Sequence, residues 1–290
     1  MRTDPPACLV CGTEAALVGV KDQAIYECPR CTLRFVPPHP QREAGELYSA
    51  DYFTSDASEY GDYVGEEPAH RRQARRYLRS IARVHATGSL LDVGGATGFF
   101  ADEARKAGWQ VELVEVSTYA ANHAREALGL PVVIGAFPSV TLHRSSFDVV
   151  TFFNVFEHLN APREAETRLR NIVPPGGVVA IETWDWGSML ARTLGLEWHQ
   201  YQPAYVPCYY NRKSLLALFQ PDSWECLTYG SGTKWISLRR ATEILAAKHG
   251  ARMLKVLGDS ALGSVDLPYR LGDLIWVVFR RRTAQAAMHG

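Results

Sequence analysis

Hydrophobic positions along the chain fall into short runs separated by amphipathic stretches. Runs at 89–93, 110–115, 131–134, 147–153 and 177–183 predict β-strands. The stretches near 98–107, 117–128 and 162–171 predict helices, the last opened by Pro162. Such alternation predicts an α/β fold with a doubly wound parallel sheet. Residues 70–85 predict a basic helix with Tyr77, Leu78 and Ile81 on its apolar side. Residues 184–211 break the rhythm with many aromatics and no period. A helix at 212–219, a strand near 224–229, a helix near 236–249 and a strand at 274–279 follow.

These breaks divide the chain. A first unit spans 1–38 and is stopped by Pro37-Pro38-His39-Pro40. A linker rich in tyrosine and acid, together with a helical lid, spans 39–86. The sheet domain spans 87–282 and contains the aromatic insert 184–211. A polar tail fills 283–290.

Composition narrows the function. The chain has 290 residues, with Lys+Arg 31 and Asp+Glu 31, so formal net charge is zero. Nucleic-acid binding normally rests on a basic footprint, which this balance lacks. No apolar run is long enough for a membrane span, and Met1-Arg2-Thr3-Asp4-Pro5-Pro6 shows no signal-peptide core. A cytoplasmic location with reduced thiols is the expectation.

Against that background the cysteines stand out. Cys8-Leu9-Val10-Cys11 and Cys28-Pro29-Arg30-Cys31 are two C-x-x-C pairs with the spacing of a zinc ribbon. Four thiolates close a tetrahedral site and can fold a segment that has no core of its own. The expected metal is therefore structural zinc. A redox dithiol and a single iron on the same thiolates are the alternatives.

The chemistry of the sheet domain centres on Leu90-Leu91-Asp92-Val93-Gly94-Gly95-Ala96-Thr97-Gly98, answered by Glu115 at the end of the next strand. A strand, a small-residue turn and a helix, followed by an acid on the second strand, hold an adenosine-bearing cofactor. A dinucleotide turn needs a third glycine, and that position is Phe99. The pattern acid-x-G-x-G-x-G fits instead, with Ala96 at the middle glycine. Phe147-Asp148-Val149-Val150, then Glu157-His158-Leu159, and Val173-Pro174-Pro175-Gly176-Gly177 follow in order. On these motifs the chain resembles the class I S-adenosylmethionine-dependent methyltransferases over roughly 70–282. The resemblance implies a Rossmann-like sheet and S-adenosylmethionine as methyl donor. It implies that Asp92 positions the methionine amino group and that backbone at Gly94, Gly95 and Gly98 lies against the methionine moiety. Glu115 would accept from both ribose hydroxyls, Ala136 and Phe137 would lie by the adenine, and Asn154 would face the methionine side. The ribbon followed by this domain is similar to bacterial methyltransferases acting on sugars, glycolipids or natural products, with the ribbon beside the acceptor entrance.

An alcohol or carbon acid acceptor needs a base. Glu157 and His158 follow the fourth strand, and His199 lies in the insert; for each, a purely structural role is the alternative. Related ubiquinone-pathway enzymes support a metal with Glu-x-x-Glu-His. Asn154 stands at the first position here, which disfavours that site. The aromatics Tyr52, Phe53, Trp184, Trp186, Trp198 and Tyr201 are expected either to wall an acceptor pocket or to pack the insert. The arginines of 71–79 suit an anionic, nucleotide-linked acceptor or a solvated helix face. Three functions follow: a small-molecule methyltransferase, a methyltransferase acting on RNA or protein, and a non-catalytic binding module.

Overall fold

The apolar runs assemble into one mixed sheet in the computed structural model, which describes residues 5–37, 48–54, 63–239, 242, 263 and 265–283. The N-terminal unit supplies β1 (Ala16–Lys21), β2 (Gln23–Glu27) and β3 (Arg34–Phe35). Two helices follow, α1 (Ala50–Thr54) and α2 (Glu67–Ile81). The sheet domain then alternates β4 (Ser89–Val93), α3 (Phe99–Lys106), β5 (Gln110–Glu115), α4 (Thr118–Glu126), β6 (Val132–Ile134) and β7 (Val149–Phe153). A 3₁₀ turn over Phe156–His158 leads to α5 (Pro162–Ile172) and β8 (Val178–Trp184). The insert contains α6 (Met189–Leu194) and β9 (Cys208–Tyr209). Then come α7 (Arg212–Leu218), β10 (Trp224–Ser231), β11 (Lys234–Ser237), β12 (Asp266–Tyr269) and β13 (Leu274–Arg281).

The main sheet has seven strands in the order β10-β13-β8-β7-β4-β5-β6. Strands β6, β5, β4, β7 and β8 run parallel, while β13 and β10 complete the edge antiparallel. Helices cover both faces, which is why the parallel strands are nearly continuous apolar runs. On one face Ala165, Leu169 and Ile172 of α5 and Leu215 and Leu218 of α7 pack on Leu91, Phe152 and Ile181. On the other, Ala74, Leu78 and Ile81 of α2 join Ala101 and Ala104 of α3 and Ala121 and Ala124 of α4. The i, i+4, i+7 spacing of the α2 residues gives one buried stripe. Helix starts are chemically marked: Ser117 caps α4, and Asn211 and Ser214 form a reciprocal cap on α7.

Two features depart from expectation. The helix expected near 236–249 begins instead with β11, which pairs antiparallel with β12 from Lys234↔Tyr269 to Ser237↔Asp266. Long-range pairing and Trp235 lying 4.0 Å from the Arg76 guanidinium override the local pattern. The remainder of that expected helix, apart from residues 238, 239 and 242, lies outside the described residues. The basic face of α2 is also partly paired: Arg71 meets Asp102 at 2.6 Å and Glu103 at 3.0 Å, and Arg75, still half exposed, meets Glu103 at 2.8 Å. Among the described residues no helix is long and apolar enough to cross a membrane.

The ribbon is built into the sheet domain. Its β3 pairs with β9, so β1, β2, β3 and β9 form one four-stranded sheet. Leu33 and Phe35 share a core with Phe152, Phe156 and Ile181.

Candidate active site

The candidate residues collect at the carboxyl ends of β4, β5, β7 and β8, where open α/β sheets bind ligands. Asp92 ends β4 with 2% exposure. Its Oδ1 accepts from the Thr151 hydroxyl at 2.7 Å, and its Oδ2 has no hydrogen-bond partner. Burial pushes its carboxyl up to about 7; the Thr151 bond opposes the shift and the Glu115 charge adds to it. Glu115 ends β5, and each of its oxygens takes one backbone amide at 2.8 Å, Oε2 from Ala96 and Oε1 from Ser117. Burial raises its carboxyl as well, against those amide bonds.

The turn between them can exist only with small residues. Gly94 has φ +69, and a Cβ there would lie 2.4 Å from Val155. Ala96 holds a left-handed φ of 49°, a strained conformation for a residue with a Cβ. The amide that Ala96 donates to Glu115 fixes this geometry, so the loop and the second acid form one unit.

Tyr63 closes over this unit. Its ring stacks on His70 at 3.9 Å and parallel to Phe99 at 6.2 Å, and the charges of Asp92 and Glu115 raise its phenol after burial has done so. Phe53 packs on Tyr63 and Tyr119. Phe53 and Tyr63, described residues ahead of α2, thus form an aromatic layer beside this turn. Its tyrosine-rich composition was the signal; a role for Tyr63 emerges only from the fold.

Beyond β6, Phe137 turns its side chain into the core, edge-on to Phe152 at 5.4 Å. Ala136 is exposed and its carbonyl accepts from Ser139 and Val140. These two residues therefore offer backbone and a methyl group, and no polar side chain, to a ligand on the sheet edge.

Asn154 follows β7 with a left-handed φ of 55°. Its backbone N–H donates to the Glu182 carbonyl at 2.9 Å, and its Nδ2 donates to Glu182 Oε1 at 3.4 Å. Its Oδ1 is buried with no partner. Glu182 also accepts a short bond from the Tyr77 hydroxyl. Burial pushes Glu182 up to about 7, opposed by the charge of Lys234. Glu182 was not among the site residues expected from sequence. An acid near the end of an otherwise apolar strand was the available signal.

Glu157 and His158 sit in the 3₁₀ turn. Glu157 is 2% exposed, with its own amide and the Thr183 hydroxyl as the donors beside its carboxylate. Burial raises its carboxyl, which lies within the electrostatic reach of His158 and Lys234. His158 Nδ1 lies 2.9 Å from the Tyr205 carbonyl and 2.9 Å from the Tyr48 hydroxyl. A carbonyl partner requires a proton on Nδ1. His199 is exposed, with its ring edge-on to Trp184 at 5.6 Å. Trp186, Trp198 and Tyr201 pack in a core with Ile25 and Val36 of the ribbon unit. They join insert to ribbon. Trp184 instead carries the Lys234 ammonium at 4.2 Å from its ring.

The four ribbon cysteines converge, with all sulfurs within 4.8 Å of one another. Cys8 and Cys31 are 3.4 Å apart, and Cys11 and Cys28 are 3.3 Å apart. The Val10 and Cys31 amides donate to Cys8 and Cys28 sulfur. Soft sulfur donors gathered in this way, with amides stabilising negative charge on them, fit a tetrahedral metal.

Comparison with known proteins agrees with this geometry. The profile of a methyltransferase domain family matches residues 68–228, more than half of the chain. A ubiquinone biosynthesis O-methyltransferase of Azoarcus sp. (strain BH72) is 26% identical over 181 residues, covering 57% of this chain and 78% of the relative. In fold, the chain is similar to a chain of the complex between the Haloferax volcanii Trm112 methyltransferase activator and a methyltransferase. The TM-score is 0.55 at 15% identity, with 76% of this chain and 95% of that one covered. A methyltransferase structure from Bacillus halodurans gives 0.52 at 13% identity, covering 72% and 98%.

Proposed function

Because the chain belongs to the methyltransferase domain family and is an S-adenosylmethionine-dependent enzyme of that family, we propose that its acceptor is a small molecule. A sugar, a glycolipid or a natural-product intermediate, free or nucleotide-linked, is the acceptor class. The observation that carries the reading is the pair of buried carboxylates, Asp92 and Glu115, held by one turn on neighbouring strands. S-adenosylmethionine supplies a methyl group on a cationic sulfur, open to in-line displacement. Asp92 Oδ2 is free to accept from the methionine amino group. Glu115 keeps a lone pair on each oxygen for the two ribose hydroxyls. The backbone at Gly94, Gly95 and Gly98 lines the methionine side, Asn154 faces it, and Ala136 and Phe137 border the adenine. In this reading His158 meets the acceptor through Nε2. Glu157 and His199 are the further candidates for the base.

Zinc held by Cys8, Cys11, Cys28 and Cys31 is structural in this reading, because all four positions are protein ligands. The relative's role in ubiquinone biosynthesis supports a small acceptor. So does the pairing of Arg71 and Arg75 with acids of α3, which removes charge that a nucleic acid would need. In this reading the enzyme works in the cytoplasm.

The test is label transfer. Protein incubated with methyl-labelled S-adenosylmethionine and a whole-cell extract is expected to move label into the low-mass fraction. Label in RNA or protein would instead favour a macromolecular acceptor. No transfer to any fraction would favour a non-catalytic binding module.

A further inference from the structure

The 3₁₀ turn that carries His158 is held by residues 205–210 of the insert through three contacts. His158 Nδ1 lies 2.9 Å from the Tyr205 carbonyl. The Cys208 thiol, fully buried, donates to the Leu159 carbonyl at 3.5 Å. The Phe156 ring packs on Tyr210 at 5.4 Å. Each residue of the turn but Glu157, together with Leu159 that follows it, is therefore tied to one short stretch of chain.

That stretch is held in turn by the ribbon. β9 pairs antiparallel with β3, Arg34 opposite Tyr209 and Phe35 opposite Cys208. The Val36 amide extends the pairing to the Pro207 carbonyl at 2.9 Å. β3 follows the second cysteine pair directly, and the Cys28 amide donates to the Leu33 carbonyl at 2.9 Å. Cys8, Cys28 and Cys31 share one core with Cys208, Tyr210, Phe156 and Leu159. The main sheet reaches the stretch at its far end, where the Trp186 amide donates to the Tyr210 carbonyl at 3.1 Å. A short link thus runs from the thiol cluster through β3 and β9 to His158.

The Asp92–Glu115 turn is held differently. Asp92 accepts from Thr151, Glu115 from Ala96 and Ser117, and the Gly94 amide donates to the Val114 carbonyl. These bonds run within the sheet domain. What holds the donor loop and what aims the histidine are separate parts of the chain.

We propose that the ribbon and β9 form a positioning arm for His158, joined to its turn by Cys208, so that the ribbon thiol site governs the acceptor side of methyl transfer and not the donor side. The proposal rests on the methyl-transfer reading, which gives His158 its place at the acceptor. The proton that the Tyr205 carbonyl requires on Nδ1 fixes the tautomer and the aim of the ring. The four cysteines, when they hold metal, anchor β3; through the ladder β9 then keeps the Tyr205 carbonyl where that proton reaches it. Loss of metal removes the anchor. The carbonyl and the Cys208 thiol then leave the turn, and the imidazole is free to exchange tautomers. Donor binding persists, because its turn bonds to neither strand. The Tyr48 hydroxyl, also 2.9 Å from Nδ1, is the competing anchor.

Long-range proton–nitrogen NMR of the His158 imidazole, in the full-length protein and at a pH where the ring is neutral, reads the tautomer without an acceptor substrate. Metal-replete wild type is expected to show the Nδ1-protonated form alone. Cys208→Ala leaves the four ribbon cysteines in place and should give a mixture of tautomers, with metal content and S-adenosylhomocysteine affinity unchanged. Cys208→Ser keeps a donor for the Leu159 carbonyl and should restore the single form, a rescue that general destabilisation by a buried hydroxyl would not give. Chelation under reducing conditions, read below the melting temperature of the metal-free protein, should give the same mixture while S-adenosylhomocysteine still binds. The arm is overturned by a wild-type ring protonated at Nε2 alone, by an unchanged tautomer in Cys208→Ala, or by a mixture produced by Tyr48→Phe and not by Cys208→Ala. It is equally overturned by chelated protein that binds S-adenosylhomocysteine and keeps the single form. Should chelation unfold the chain, the two Cys208 variants decide. Failure of S-adenosylhomocysteine to bind metal-replete wild type overturns the methyl-donor reading instead, and the tautomer signals still decide the arm.

Discussion

Asp92→Asn is expected to weaken S-adenosylmethionine binding by about 10- to 100-fold and, at pH 8, to raise the melting temperature of the ligand-free protein. The two effects share a cause. Asp92 is buried with one oxygen open, and its carboxyl sits at about 7 instead of the ordinary 3.8. A folded-state pKa above the unfolded one means the folded protein holds that proton more tightly. Its stabilising contribution is full below about 4 and is lost as pH rises through about 7. Above 7, folding must bury the charge. Asparagine keeps an oxygen for the Thr151 hydroxyl and removes that cost. It also removes the charge that pairs with the methionine amino group, and hydrogen bonds to charged groups contribute about 1.5–3 kcal/mol. The variant should therefore melt a few degrees higher than wild type at pH 8 and level with it near pH 4. Melting curves at both pH values, with calorimetry of the ligand, check this. A variant that melts lower at pH 8 would show that Asp92 is a structural residue.

Loss of the ribbon metal should destabilise the whole chain and not the first unit alone. The ribbon is continuous with the sheet domain through β3 and β9. Asn211 Nδ2 donates to Thr32 Oγ1 at 2.9 Å, and Trp186 Nε1 donates to the Thr32 carbonyl at 3.1 Å. Arg34 donates to the Tyr201 hydroxyl at 2.5 Å while its guanidinium lies 3.7 Å from the Trp186 ring. The insert's buried aromatics pack on Ile25 and Val36. Structural zinc contributes about 10–16 kcal/mol to small zinc domains, so its removal withdraws much of what orders these partners. Cys28→Ser, or chelation under reducing conditions, is expected to lower the melting temperature by about 10 °C or more, taking about 2–4 °C per kcal/mol for domains of comparable size. Metal analysis should find one zinc per chain in the untreated protein. An unchanged melting curve after chelation would argue that the four thiols need no metal.

The parallel strands were legible from sequence because strands covered on both faces must be apolar throughout; their order in the sheet was not. Asp92, Gly94 and Glu115 were legible for a related reason: a tight turn bounded by acids leaves a local trace. Glu182 and Tyr63 left only a weak trace, an acid in an apolar strand and a tyrosine-rich stretch. Glu182 becomes distinctive only when Tyr77 from α2 and Asn154 from β7 reach it, and Tyr63 only when the segment before α2 folds onto the cofactor turn. The same holds for β11, whose partner β12 lies far along the chain. Trp198 and Tyr201 looked equally suited to a pocket or a core; contact with the ribbon decides for the core.

The central claim is that the Asp92–Glu115 turn holds the methyl donor. Calorimetric titration of S-adenosylmethionine into the purified wild-type protein measures this directly. One site per chain with an affinity in the micromolar range, weakened by Glu115→Ala, is the expected result. No heat of binding from folded, metal-replete protein would contradict it.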